Sequence, residues 1–217
     1  MILVFLGPPG AGKGTQAKIL EDRFGYRQIS TGDMLRRHRS EKTALGLEAQ
    51  GYMDAGKLVP DDLVIRMVEA ELANVENVIV DGFPRTLPQA EAFEALLASK
   101  RLKSVAVIFD VDNSVLIERI TGRWSNPRTG RVYHEKFNPP KVAGIDDEDG
   151  GPLVQRPDDA ADVVAKRLAE YDEKTTPLIA YFEKSGAFVH VNALGAIADV
   201  TRAIIAKLPD VDSGSAA

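Results

Sequence analysis

The sequence predicts an α/β protein built on a doubly wound, five-stranded parallel sheet. Three observations predict it. Short apolar runs recur along the chain without clean alternation, as in strands covered on both faces. Segments of helical spacing lie between them. The first run passes through a glycine-rich turn directly into a helical pattern. Sheets of this kind gather ligands at the carboxyl ends of their strands.

The elements follow in order. ILVFL (Ile2 to Leu6) is the first strand, and a helix is expected over Gly14 to Phe24. RQIS (Arg27 to Ser30) is a short second strand. Residues 31 to 59 carry TGDMLRR and MDAGKLV and are helical in character, with no strand pattern. Asp61 and Asp62 after Pro60 make a helix start, and that helix is expected to reach Ala73. NVIV (Asn77 to Val80) is a buried strand that ends against Asp81. A helix over Leu87 to Lys100, a strand over Val105 to Phe109 and a helix over Asn113 to Thr121 come next. Residues 122 to 159 are rich in Gly, Pro, Asp and Asn. A structureless loop that long is rare in a compact domain, so the stretch reads as a small β-rich insertion with RVYH and EKF as its strands. A helix over Ala160 to Glu173 and a strand over Phe188 to Val191 complete the pattern, and the tail VDSGSAA is expected to fray. The expected organisation is a core of residues 1–29, 60–121 and 160–217, with insertions at 30–59 and 122–159.

Composition narrows the function classes. A chain of 217 residues suits one domain with small insertions. With 27 Lys and Arg against 32 Asp and Glu, it lacks the basic balance that nucleic-acid binding favours. It has no cysteine, hence neither a disulfide nor a thiolate metal site. The apolar start is too short for a signal peptide and lacks its charged flank. No run approaches the roughly 20 apolar residues of a membrane span. A soluble cytoplasmic protein is the default expectation.

The chemistry begins in GPPGAGKGTQ (Gly7 to Gln16). Against the phosphate-loop pattern G-x-x-x-x-G-K-[ST], Gly7, Gly12 and Lys13 fit. Gly14 stands where the hydroxyl belongs, and Thr15 comes one residue late. Glycines let backbone N–H groups close around an anion, the helix N-terminus adds a favourable dipole, and Lys13 adds a point charge. Phosphate chemistry also needs Mg²⁺ and positive charge on the transferring group. Asp81, at a strand end before GFPRT, is the first carboxylate candidate; Asp33 in STGDM is a second, or only a helix cap. Arg36, Arg85, Arg119, Arg123, Arg156 and Arg167 come from separated segments. Each alone reads as a solvated surface residue. Arg119 and Arg123, four apart, are expected to share a face leading into the second insertion. Arg156 leaves that insertion just before Asp158 and Asp159, and Arg167 follows beside the stripe Val164, Leu168 and Tyr171. Arginines at both ends of one insertion suggest a lid that closes on phosphates.

GPPGAGKGTQ, QISTGDMLR, DAGKLVPD, DGFPRTLPQA, GRVYHEKFNPPK and RPDD with KRL, in this order, resemble the adenylate kinases with a long lid, within the nucleoside monophosphate kinases. The likeness runs from residue 7 to about residue 181. It implies reversible, Mg²⁺-dependent transfer between ATP and AMP giving two ADP, by a P-loop core with a helical NMP-binding insertion, a small β-rich lid and a monomeric chain. It also accounts for Gly14, because the family's loop has glycine after the lysine and holds its metal mainly through phosphate oxygens and waters. Asp33 and Asp81 would stand behind those waters. By matching residues, Gly10, Ala11, Gly12, Lys13, Gly14 and Thr15 would hold the ATP phosphates. Arg119 would stack on the ATP adenine, with Val132, Tyr133, Phe137 and Gly195 on the same side. Thr31, Arg36, Lys57, Leu58, Val59, Gly82, Phe83, Pro84, Arg85 and Gln89 match the AMP side, where Arg36 and Arg85 would clamp the AMP phosphate as forks. Lys13, Arg85, Arg123, Arg156 and Arg167 would act on the transferring group, and Arg156 and Arg167 would also reach AMP.

The same scaffold serves other bases. Gln89 can pair with an adenine edge by donating and accepting. Thr31 and Gln89 both point to AMP, although Thr31 also reads as a helix N-cap. The donor-side segment NALGA (Asn192 to Ala196) departs from the family's usual turn, with Gly195 at a lysine position. That change spares a backbone contact and leaves GTP as the alternative donor to ATP. Where some long-lid relatives carry zinc cysteines, this chain has Asn126, Thr129, Asp146 and Asp149, so no structural zinc is expected. These four are expected to form a hydrogen-bonded network, with Asn126 and Thr129 donating to the aspartates, or one aspartate protonated. His134 reads more readily as structural than as a base, and Trp124 as packing at the lid hinge. A hydrolytic P-loop NTPase and a non-catalytic adenylate sensor are the rival classes.

Overall fold

The computed structural model describes residues 1–72 and 77–208. Strands β1 (Ile2–Leu6), β2 (Arg27–Ser30), β3 (Val78–Asp81), β4 (Ser104–Asp110) and β7 (Phe188–Asn192) form one parallel sheet, ordered β2-β3-β1-β4-β7. The fold is the expected doubly wound α/β type. β5 (Arg123–Ser125) and β6 (Val132–His134) form a separate antiparallel pair.

Both faces of the sheet are apolar. Ile2, Val4 and Leu6 of β1 enter one core with Val78, Val80, Ala106 and Ile108, and Leu3 and Phe5 enter the other with Ile79, Val107 and Phe109. The period-2 alternation of a strand thus divides apolar residues between two cores, and no polar face remains to show in the sequence. Helices α1 (Lys13–Phe24) and α9 (Ile197–Lys207) cover the second core through Ala17, Leu20, Val200 and Ile204. Helices α2 (Thr31–Ser40), α3 (Ala44–Asp54), α4 (Asp61–Glu71), α5 (Leu87–Ser99) and α8 (Pro177–Ser185) cover the first. Helices α6 (Leu116–Thr121) and α7 (Ala161–Lys174) flank the 122–159 segment.

Several expectations change. EKF is not a strand: His134 Nδ1 accepts from the backbone N–H groups of Lys136 and Phe137 and folds the chain into a turn. The partner of β6 is Arg123–Ser125, which sequence reading left unassigned. Arg119 and Arg123 do not share a helical face, because α6 stops at Thr121. Ser30, not Thr31, caps α2, accepting from the Asp33 N–H, so Asp33 is no cap either. Helices α8 and α9 were not anticipated, although Pro177 at the first turn and Gly186 at the end bracket α8. The helix end at Ala73 and the VDSGSAA tail lie outside the described residues.

The 122–159 segment has a polar centre. Asn126 Nδ2 donates to Asp146 Oδ2 at 2.7 Å and to Asp149 Oδ1 at 2.8 Å. Thr129 and Tyr133 hydroxyls donate to Asp146 at 3.1 and 3.0 Å. Burial works against the Asp146 charge, but hydrogen bonds from Asn126, Tyr133 and Thr129 hold its carboxyl below the usual range. The Gly151 N–H, with Arg128 and Asn126, does the same for Asp149. The expected network is therefore present, with donation and not protonation relieving the two carboxylates.

Candidate nucleotide site

The carboxyl ends of β1, β2, β3 and β7 open into a cavity of about 570 Å³. β1 runs into the loop from Gly7, and Gly12 caps α1 at φ 92°, a left-handed conformation that glycine adopts without a Cβ clash. Lys13 folds back so that Nζ donates to the carbonyls of Gly7 and Pro8 at 2.7 and 2.9 Å. Burial pulls Lys13 down to about 8, with Arg85, Arg167 and Arg123 adding to it against Asp81. Asp81 ends β3 next to the loop: its Oδ2 would lie 3.6 Å from a Cβ on Gly14. Gln28 Nε2 approaches the same oxygen at 3.5 Å.

The arginines converge from separated segments of the chain. Arg123 makes a fork to Asp159 through Nε and Nη2. Burial opposes the Arg123 charge, but Asp159 and Asp158 raise its basicity overall. Arg167 Nη1 bonds Asp158 Oδ2 at 3.0 Å and Asp159 Oδ1 at 3.3 Å. Arg156 donates to Ser125 Oγ at 2.9 Å and lies 3.9 Å from Asp33. Burial, with Arg36 and Arg123 close by, pulls Arg156 down to about 9. Arg85 donates from Nε to the Gly82 carbonyl at 2.7 Å, and burial with Arg167 nearby pulls it down to about 10. Arginine does not give up its proton in proteins. For Arg85 and Arg156 these directions mean that buried guanidinium groups crowd one another, a cost that an anion between them would relieve, whereas Arg123 and Arg167 already have Asp158 and Asp159.

Gly82 lets Arg85 and Thr31 approach closely. At φ 78°, a Cβ there would stand 2.8 Å from Arg85 Nη2 and 2.9 Å from Thr31 Oγ1. The Thr31 hydroxyl donates to the Gly82 carbonyl at 2.9 Å. Asp33 pairs with Arg36, and despite burial Arg36 and Arg156 hold its carboxyl below the usual range.

Every expected ATP-side residue lines this cavity, and so does every expected AMP-side residue but one. Phe83 is the exception. It is 1 % exposed and packs edge-on to Phe93, with ring centroids 5.4 Å apart, so its side chain belongs to the core. Gln89 is only 2 % exposed and already makes two side-chain hydrogen bonds. Arg119 donates to the Ala193 carbonyl at 2.9 Å, which ties it to the NALGA segment. His134 donates from Nε2 to the Glu118 carbonyl at 3.1 Å and accepts at Nδ1, so both ring nitrogens hold the segment together. Sequence reasoning missed Thr175, whose hydroxyl donates to the Arg85 carbonyl at 2.9 Å, and Asp61, which bonds Gln89. Asp61 carried no signal beyond a helix start.

The donor set suits Mg²⁺ brought in by a nucleotide. Asp81 is a hard oxygen donor beside the loop, whereas Asp33 is largely satisfied by arginine. Among the described residues, no group of three or more His, Asp and Glu side chains is arranged to hold a metal ion by itself.

Comparison with known proteins agrees. The family model described as adenylate kinase matches residues 5–187. The adenylate kinase of Citrifermentans bemidjiense is 48% identical over 213 residues, covering 96% of this chain and 99% of its own. That of Geobacter sulfurreducens is 49% identical over 210 residues, covering 94% and 96%. That of Geobacter sp. strain M21 is 47% identical, covering 96% and 99%. With the loop, the arginines, Thr31 and Gln89 brought into one cavity, the chain belongs to the adenylate kinase family.

Proposed function

We propose that the protein catalyses ATP + AMP to two ADP, reversibly and with Mg²⁺. The observation that carries the reading is one cavity lined by Lys13 and the phosphate loop together with Arg36, Arg85, Arg123, Arg156 and Arg167. An AMP phosphate oxygen attacks the γ-phosphorus of ATP in line. A new P–O bond forms as the bond to the bridging oxygen breaks, and the electron pair leaves with the ADP β-phosphate. No protein nucleophile is required, so catalysis lies in positioning and charge stabilisation. Lys13 and the N–H groups of Gly10 to Thr15 hold the donor phosphates, and Arg36 and Arg85 orient the acceptor phosphate. Arg123, Arg156 and Arg167 meet the charge that develops on the transferring oxygens. Mg²⁺, near Asp81 and more distantly Asp33, would neutralise charge on the donor phosphates.

In this reading residues 30–59 form the AMP-binding unit, 122–159 the lid, and the rest the core. Arg156 reaching Ser125 and Asp33 favours a lid that approaches the AMP-binding unit. Closure would exclude water and limit hydrolysis. A monomeric, cytoplasmic enzyme is part of the proposal and follows from the family. No helix among the described residues is long and apolar enough to cross a membrane.

The test is incubation of the purified protein with Mg²⁺, ATP or GTP, and each of AMP, GMP, CMP and UMP, followed by chromatography. ADP rising at twice the rate of AMP loss, with AMP alone, is the expected result. Free phosphate without an acceptor would mean hydrolysis. Binding without turnover would mean a sensor, and faster use of GTP would change the donor.

A further inference from the structure

The Gln89 side chain is held from both ends. Its Oε1 accepts from the Arg85 backbone N–H at 2.8 Å, and its Nε2 donates to Asp61 Oδ1 at 2.7 Å. The two partners have fixed chemistry. A backbone N–H only donates, and a carboxylate only accepts. Turning the amide over would place NH₂ against N–H and carbonyl oxygen against carboxylate, so it has one allowed orientation.

The holders are themselves held. Thr86 Oγ1 donates to Asp61 Oδ2 at 2.9 Å and accepts from the Gln89 backbone N–H at 3.3 Å. The Arg85 peptide is fixed on its other side by the Thr175 hydroxyl at 2.9 Å. Gln89 lines the nucleotide cavity; Asp61 and Thr86 do not, and face a separate groove with Leu87 and Pro88. Asp61 therefore acts from behind Gln89, away from the nucleotide.

After these two bonds the amide retains one lone pair on Oε1 and one N–H on Nε2. Adenine offers an N6–H donor beside a ring-nitrogen acceptor and matches that pattern. Guanine and hypoxanthine carry an oxygen at position 6, which would face the fixed Oε1. A freely turning glutamine would accommodate either base by flipping.

We propose that Asp61 is a specificity-positioning residue: it locks the Gln89 amide in the orientation that accepts the 6-amino group of AMP and rejects the 6-oxo group of IMP and GMP. The proposal rests on the AMP-kinase reading above. IMP is the sharper probe, since it has the 6-oxo edge without the 2-amino group of guanine.

The test compares wild type with Asp61→Asn and Asp61→Ala, measuring kcat and KM for AMP, IMP and GMP at saturating MgATP. Asparagine can either donate or accept, and alanine does neither, so both remove the Asp61 share of the penalty on the flipped amide and leave only that of the Arg85 N–H. The AMP:IMP ratio of kcat/KM is expected to fall about tenfold, the scale of one bidentate base contact, mainly through the acceptor KM, with the KM for ATP unmoved. A purely structural role would lower both acceptors alike, and an unchanged ratio overturns the proposal. If neither variant folds, the wild-type protein answers by nuclear magnetic resonance. A Gln89 NH₂ pair slow to exchange and close to Asp61 supports the lock. One exchanging like a surface glutamine, or lying against the Arg85 N–H, overturns it. Wild type selective for AMP with unchanged variants defeats this proposal alone. Wild type that phosphorylates no acceptor defeats the AMP reading and the proposal with it.

Discussion

In the sheet, all five residues of β1 are apolar and at most 3 % exposed. In residues 122–159, Asn126 and Asp146 are buried as deeply, at 2 % and 1 %, and Asp146 is held by hydrogen bonds from Asn126, Thr129 and Tyr133. Apolar burial is non-directional and adds up contact by contact, so the sheet tolerates swaps of similar shape. A buried polar network contributes little net per bond but costs much when one member is lost, since the others are left unpaired. Residues 122–159 should therefore fail as a unit while the sheet stands.

The largest effect is expected where the sheet itself is cut. Phe5, tilted against Phe109 with ring centroids 5.0 Å apart, lies between β1 and its second core. Phe5→Ala should cost about 3–5 kcal/mol in denaturant unfolding. Slower amide exchange should be lost throughout, lid included. A loss confined to α1 would break the comparison.

Lys13→Met should lower kcat by about 10²–10³-fold, as loss of a preorganised charge does. Stability should hold or rise. Burial places Lys13 at about 8 in the fold against its ordinary 10.5, so its charge costs stability below pH 8, and that cost fades as pH rises towards 10.5. Phosphate binding beside it should reverse the shift. Calorimetry in buffers of different ionisation heat should show proton uptake on ATP binding near pH 8 to 9, absent in Lys13→Met. A variant that is both active and less stable would contradict this account.

Asp146→Ala should cost about 2–3 kcal/mol within 122–159 alone, read as faster exchange there with β1 and β4 amides unmoved. Equal acceleration in the sheet would show that the two regions unfold together. Acid should produce the same separation in wild type. Asp146 and Asp149 sit below their ordinary value of 3.8 when folded, so their contribution is present above that pH and fades as pH falls through the depressed values. The smallest effect is expected at Arg131, which reaches Asp22 of α1 at 3.2 Å and also pairs with Glu148. Arg131→Ala should weaken the hold of residues 122–159 on α1 by less than about 1 kcal/mol, detectable as a change in Trp124 fluorescence.

The sequence by itself determined what local physics writes into neighbouring residues. The strands Ile2–Leu6 and Phe188–Val191 were legible as apolar runs, and the loop at Gly7 to Thr15 as glycine, lysine and a helix start. Arg119, Arg123, Arg156 and Arg167 were legible as a set, because phosphates need arginines and these four flank one insertion. The bonds among Asn126, Thr129, Asp146 and Asp149 were expected only through the resemblance, which sets these four residues where some long-lid relatives carry zinc cysteines. Only the tertiary structure decided which groups meet across the chain. Phe83 follows Gly82 in the motif, yet its ring turns into the core against Phe93. EKF reads as a strand but bends around the His134 ring, because two N–H groups find an acceptor there. In the sequence Gln89 reads as an amide able to pair with an adenine edge, with no sign of what holds it. Its partner Asp61 lies 28 residues away on another helix. A hydrogen bond depends on tenths of an ångström and on direction, which packing fixes and residue order does not.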